Sequence, residues 1–418
     1  MYLQTAHVGP MRLLISFAAL FVSALLLQLS SGGVGPLDVL SGTALGFSSA
    51  EIGLLGSAHF LGFIIGCWWA PRLMGSVGHS RAFAVFTAMS AIGLLAHMLI
   101  IDPIAWALMR IATGMCIAGC YTVIEAWLQA KVTNATRGRA MGVYRMVDTG
   151  GSFAAQLLIG VLAPASYVSY NLLAIFCCMA LLPLMLTRST QPETPSAPRL
   201  RPQLAWSISP LACMGVLVAG LTSAAFRMIG PLYGLEVGLL PEQIAFFLGA
   251  FVLGGAAAQL PAGWLADRFD RRWVLIAFSG GAFLACGVTV SLSTSGTSAV
   301  MAAAFIFGAL TFPIYSVSAA YAHDRADDTQ RVELSAALMF FFAIGAIVAP
   351  VVSSGLLEFF GPPALFAFIA AGHLWLVAFG VWRMSRRAST IQRGAYVWIP
   401  RTSFQVGKIF RRGREDTR

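Results

Sequence analysis

The feature that most constrains this chain is a series of twelve apolar runs of membrane-spanning length. They lie at about 13–34, 48–70, 82–101, 104–130, 139–163, 167–187, 209–230, 242–265, 273–292, 298–321, 333–356 and 363–384. Crossing a bilayer takes about 20 mostly apolar residues as a helix. Hydrocarbon leaves no partner for an open backbone group, so the runs predict α-helices and an all-α membrane protein of twelve spans. The composition fits: 58% of residues are hydrophobic and 11% charged, against about 45–50% and about 25% in soluble domains. Run one reads as a span rather than a signal peptide, since no small-residue cleavage pattern follows it.

Several function classes drop out. The seven cysteines (Cys67, Cys116, Cys120, Cys177, Cys178, Cys213, Cys286) sit in apolar stretches with no CxxC pair. They read as small hydrophobes, not disulfides or metal ligands. No stretch reads G-x-x-x-x-G-K-[ST], which argues against ATP-driven transport. The longest loop is too short for a soluble catalytic domain. No enzyme activity, catalytic residue, metal site or cofactor is therefore expected.

The net charge of +10 comes from 27 basic and 17 acidic residues. Position matters more than the sum. The amino terminus, the loops after spans 2, 4, 6, 8 and 10, and the tail from Arg383 hold 24 of the 27 basic residues. The loops after spans 1, 3, 5, 7, 9 and 11 hold none, only acids such as Asp38, Asp102, Glu236, Glu242 and Glu358. Arg110, Arg145 and Arg227 lie inside spans. The positive-inside rule thus predicts cytoplasmic termini in a multi-pass membrane protein, and explains the basicity without nucleic acid. The Pro-, Ser- and Arg-rich stretch 188–208 predicts a linker between a six-helix half at 1–187 and another at 209–384. The segment 385–418 reads as a basic tail near anionic lipid. A monomer is expected.

After span 8 runs Gly263-Trp-Leu-Ala-Asp267-Arg268-Phe-Asp270-Arg271-Arg272. This resembles the G-x-L-A-D-R-x-G-R-R gating signature of the major facilitator superfamily, with Asp270 where glycine is usual. The first-half copy, Pro71–Arg81, keeps only Gly78, His79 and Arg81. Further stretches around Tyr121, Glu125, Trp127, Arg137 and Arg139, and around Tyr233, Pro313, Tyr315 and Asp324, resemble the YcaD-like bacterial branch. Relatives of that branch include alphaproteobacterial copper and riboflavin importers. The resemblance implies a proton-coupled secondary transporter of the bacterial inner membrane, a symporter, working by alternating access. Its implied gating residues are Gly263, Asp267, Arg268, Arg271 and Arg272, with the arginines pairing Asp324, Asp327, Asp328 or Glu333. The copper importers carry soft-ligand pairs one turn apart on spans 7 and 8. Here Met214 and Met228 are 14 residues apart and 246–264 holds neither Met nor His. A flavin or other small organic solute is favoured, with a metal-ion importer and a non-transporting membrane sensor as alternatives.

Ionisable groups at membrane depth are candidates for function. Arg110, Gly114, Ala118, Tyr121 and Glu125 share one face of span 4; Arg145, Asp148, Thr149, Ser152 and Gln156 share one of span 5. The stripes predict either a shared hydrated cavity or a network that only locks the two helices. Glu125 and Arg145 fall at similar depth, with Asp148 on Arg145's face. One guanidinium between two acids leaves one carboxylate able to titrate, and Asp148, the deeper, is the expected one. Arg227 either meets an anionic solute or pairs with Glu236. His59, mid-span 2, is a further pathway candidate, although a lone histidine there is more often packing.

Overall fold

The computed structural model describes residues 10–132, 134–186, 200–327 and 329–386. Local chemistry starts its helices. Ser48 caps α2 (Ser49–Val77) in a box with Glu51, and Asp102 accepts from Ala105 N at 2.8 Å to cap α4 (Pro103–Lys131). Ser166 caps α6 (Tyr167–Met185) and Ser209 caps α8 (Pro210–Glu236). The other long helices are α1 (Pro10–Ala44), α3 (His79–His97), α5 (Asn134–Ile159), α9 (Pro241–Arg268), α10 (Arg271–Ser291), α11 (Thr297–His323), α12 (Arg331–Phe360) and α13 (Pro363–Arg386). A short α7 (Pro202–Ile208) occupies the end of the expected linker; residues 188–199 and 387–418 lie outside the described residues.

Spans 1–6 are α1–α6 and spans 7–12 are α8–α13. Eleven of these helices are apolar and long enough to cross a membrane. The twelfth, α5, has the length but carries the Arg145–Gln156 polar stripe. Side chains such as Ile92, Leu108, Val168 and Leu260 are exposed, Leu260 by 86%. A continuous apolar surface of this kind suits lipid rather than water.

The first helix corrects one expectation. The first apolar run ends at about 34, which put Asp38 in an external loop. Instead α1 runs on to Ala44 and Asp38 is buried inside it, 2% exposed. Pro36 lacks an N–H, which frees the carbonyl of Gly32 one turn earlier. The Gln156 side-chain amide donates to that oxygen at 3.2 Å. The carbonyl left free by Pro36 is thus satisfied from α5.

Packing repeats in order. In the first group α2 packs on α4, α1 on α5 and α6, and α3 on α4 and α6. In the second, α9 packs on α11, α8 on α12 and α13, and α10 on α11 and α13. Glycines set the closest approaches: Gly62 and Gly66 of α2 lie against the carbonyls of Ile111 and Met115, as Gly254 of α9 lies against that of Phe305 and Gly308 of α11 against that of Phe251. The groups meet through α2–α12, α5–α9 and α1–α8. Their tightest contacts are at the acidic-loop ends. A Cβ on Gly53 would strike Ser354 Oγ and Pro350 O, and one on Gly160 would press on Ala245 and Glu242.

Candidate functional site

Between the two groups lies a cavity of about 230 Å³. The α5 stripe forms one wall: Arg145, Asp148, Thr149, Ser152 and Gln156 all line it. Gln28 and Ser31 of α1, His59, Phe60 and Phe63 of α2, and Tyr121 of α4 complete the first group's side. The second group contributes Ser223, Arg227 and Met228 of α8, Gln259 of α9, Phe312 of α11 and Phe342 of α12.

Arg145 is held between two acids, 3.8 Å from Glu125 Oε1 and 3.5 Å from Asp148 Oδ2. The two differ in setting. Glu125 is 2% exposed, behind the wall, and accepts from the Tyr144 hydroxyl at 3.5 Å. Asp148 is 22% exposed to the cavity and accepts from Gln28 Nε2 at 3.3 Å. The Tyr121 hydroxyl donates to Gln28 Oε1, so a chain runs Tyr121–Gln28–Asp148–Arg145. Sequence reading missed Gln28; its one signal was a carboxamide amid the apolar residues of span 1.

The α4 stripe divides. Only Tyr121, with Ile117, reaches the cavity. Gly114 and Ala118 pack on α2, where His59 and Gly66 approach them. Arg110 leaves the stripe for a separate cluster, its Nε 3.3 Å from Asp38 Oδ2 and both side chains at most 3% exposed. Tyr170 donates to Asp38 Oδ1 at 2.9 Å, and His97 Nε2 lies 3.8 Å from Oδ2. His97 Nδ1 sits 2.6 Å from Gly93 O, which can only accept, so Nδ1 carries the proton. A single shared cavity along α4 and α5 is thus corrected to two charge clusters, because Asp38 draws Arg110 onto α1.

Arg227 sits well inside α8 and faces the cavity, not Glu236. No described carboxylate is within 4.0 Å of it, and its buried Nε has no hydrogen-bond partner. Its nearest ring is Phe312, 5.8 Å from Cζ to centroid. His59 also lines the cavity, packed edge-on against Phe60.

At the other end of the bundle the motif residues converge. Arg271, 2% exposed, lies 2.8 Å from Asp324 and 3.4 Å from Asp267, and its Nε donates to Ala266 O at 3.2 Å. Asp270 caps α10, accepting from Arg272 N, and pairs with the Arg272 side chain at 2.9 Å. At the equivalent turn between α2 and α3, Gly78 has φ 86°, which favours glycine, whereas Asp270 has φ −62°. An acid therefore replaces the usual glycine without strain. Gly263 is buried; Arg268 is exposed near Trp264. Glu333 pairs with Arg201 instead, at 3.1 Å, and Asp328 lies outside the described residues. Among the described residues no cluster of three or more His, Cys, Asp or Glu is placed to hold a metal.

Comparison with known proteins gives this geometry its relatives. The Major Facilitator Superfamily model matches twice, at residues 19–210 and 212–413. The MFS-type transporter YcaD of Escherichia coli O7:K1 is 27% identical over 376 residues, covering 88% of this chain and 94% of that protein. YcaD of Salmonella paratyphi A is 26% identical over 359 residues, covering 84% and 91%. Crystal structures of the nucleoside transporter NupG (TM-score 0.72, 14% identity, 89% and 98% covered) and of a D-xylose-proton symporter (0.67, 14%, 93% and 98%) share the fold. These are transporters, not enzymes, and the helices place this chain as a multi-pass protein of the bacterial inner membrane. With most of its length matched in two successive copies, the chain belongs to the Major Facilitator Superfamily of transporters, in its YcaD-like branch.

Proposed function

We propose that the chain is a proton-coupled secondary transporter that moves a small organic solute by alternating access between halves 1–187 and 209–384. The observation that carries this is the cavity at the meeting of the halves, with Arg145 shared between Glu125 and Asp148. Proton exchange requires contact with water, which Asp148 has and Glu125 lacks. Asp148 is therefore the titrating carboxylate and Glu125 the fixed partner. When Asp148 takes a proton, Arg145 turns to Glu125 alone; when it loses one, the three-group cluster re-forms. The fold likeness to a D-xylose-proton symporter favours the same driving ion.

With the basic loops assigned to the cytoplasm, the tight contacts at Gly53 and Gly160 seal the periplasmic end. Arg271 with Asp267 and Asp324 forms the cytoplasmic latch of the second half. The test is uptake into proteoliposomes under an imposed pH gradient, over metabolites including flavins, with Cu(I) alongside. Gradient-driven accumulation of an organic solute supports the reading; no movement of any solute would make the chain a membrane protein that kept the fold for another role.

A further inference from the structure

Arg227 brings to the cavity a guanidinium that no described carboxylate pairs at contact distance. Two guanidiniums, Arg145 and Arg227, line the cavity against one carboxylate, Asp148. Arg145 already has Glu125 and Asp148 within 3.8 Å. Arg227, on the opposite group, has no described carboxylate within 4.0 Å and a buried Nε without a hydrogen-bond partner. Asp148 and the Tyr121 hydroxyl act on it electrostatically, Asp148 without reaching ion-pair distance. Arg227 is partly exposed, into the cavity it lines, so its charge is open to an entering anion.

The rest of the wall restricts what carries that anion. Phe60 and Phe63 face the cavity from one half, Phe312 and Phe342 from the other. Phe312 is fixed by an edge contact with Phe251, centroids 5.0 Å apart, and Phe342 by one with Tyr315 at 5.5 Å. Such rings favour a flat, conjugated body. A cavity of about 230 Å³ suits a small molecule.

We infer that the central cavity binds a small aromatic monoanion of the carboxylate type, its charge on Arg227 and its ring between the phenylalanines. This rests on the transport reading for the site's purpose but is tested by binding alone. The planar fork of Arg227 suits a carboxylate held through two parallel hydrogen bonds. Protonation of Asp148 removes the competing charge across the cavity, so anion and proton enter together.

The test uses the purified full chain in detergent, with benzoate, nicotinate, salicylate and indole-3-acetate, and with benzamide and nicotinamide as neutral counterparts. Thermal shift and calorimetry should show binding of at least one anion and little binding of the matching amide. Arg227→Gln should weaken that anion about 10- to 150-fold, the range for a hydrogen bond to a charged group, while Arg227→Lys retains part of it. Binding of amide and acid alike, or of none of the anions, overturns the inference, and both outcomes are read on the wild-type chain even if a variant fails to fold. The transport reading stands or falls separately. Anion binding without movement in proteoliposomes would remove the transport role and leave this site; accumulation of a neutral solute that no anion displaces would remove the site and leave transport.

Discussion

Arg110 of α4 and Asp38 of α1 form an ion pair at 3.3 Å, with neither side chain more than 3% exposed. The two charges answer each other there, and Asp38 also accepts from the Tyr170 hydroxyl. Removing one partner of a buried pair generally costs about 3–5 kcal/mol, whereas removing both is often near neutral. Asp38→Asn and Arg110→Gln should each lower the thermal midpoint in detergent, and the double variant should recover most of the loss. Additive losses would mean that the two residues do not answer each other.

Asp148→Asn should abolish proton-driven accumulation while solute exchange continues. Glu125→Gln removes the buried partner of Arg145 and should mainly reduce stability or yield. The measurement is counterflow beside gradient-driven uptake in proteoliposomes. Full uphill transport by Asp148→Asn would return the cluster to a structural role.

Within the latch, Arg271 lies closer to Asp324 (2.8 Å) than to Asp267 (3.4 Å), and Asp267 is 47% exposed. Water screens an exposed pair more strongly. Both Asp267→Asn and Asp324→Asn should shift the population toward the inward-facing state, Asp324→Asn by more. A coupling of about 1–3 kcal/mol corresponds to a 5- to 150-fold shift. Thiol labelling at the basic-loop end reads it, and unchanged labelling in both variants would sink the latch.

Topology has its own check. Reporter fusions at Gly46, Pro164 and Ser295, in the loops after α1, α5 and α10, should report the periplasm, and fusions at Leu200 and Asp327 the cytoplasm. A cytoplasmic signal at any two of the first three breaks the twelve-span reading.

The sequence marks out the spans to within a few residues because hydrocarbon imposes one length and one composition on each. Its failure at α1 is instructive. Gly32, Gly33 and Pro36 look like a helix end, and what keeps the helix going is the Gln156 amide on Gly32 O and the Arg110 charge on Asp38. Both partners are more than 70 residues away, beyond any local pattern. The Arg145 cluster was legible because two helices joined by a short turn fix relative depth by counting residues. The aromatic wall was not, since four phenylalanines among 29 carry no mark of which way they face. Arg227 was visible as a charge within a span, but only the structure separates a cavity-facing cation from one paired to Glu236.

The repeated glycine contacts amount to a built-in control experiment. Gly62 against Ile111 O and Gly254 against Phe305 O are the same lesion site offered twice, once in each half. An alanine at either should disturb the same kind of helix crossing by a similar amount, since overpacking costs about 1–3 kcal/mol wherever it occurs. Damage that the twins share then measures assembly of a half. Damage that only one produces measures what that half alone does during turnover.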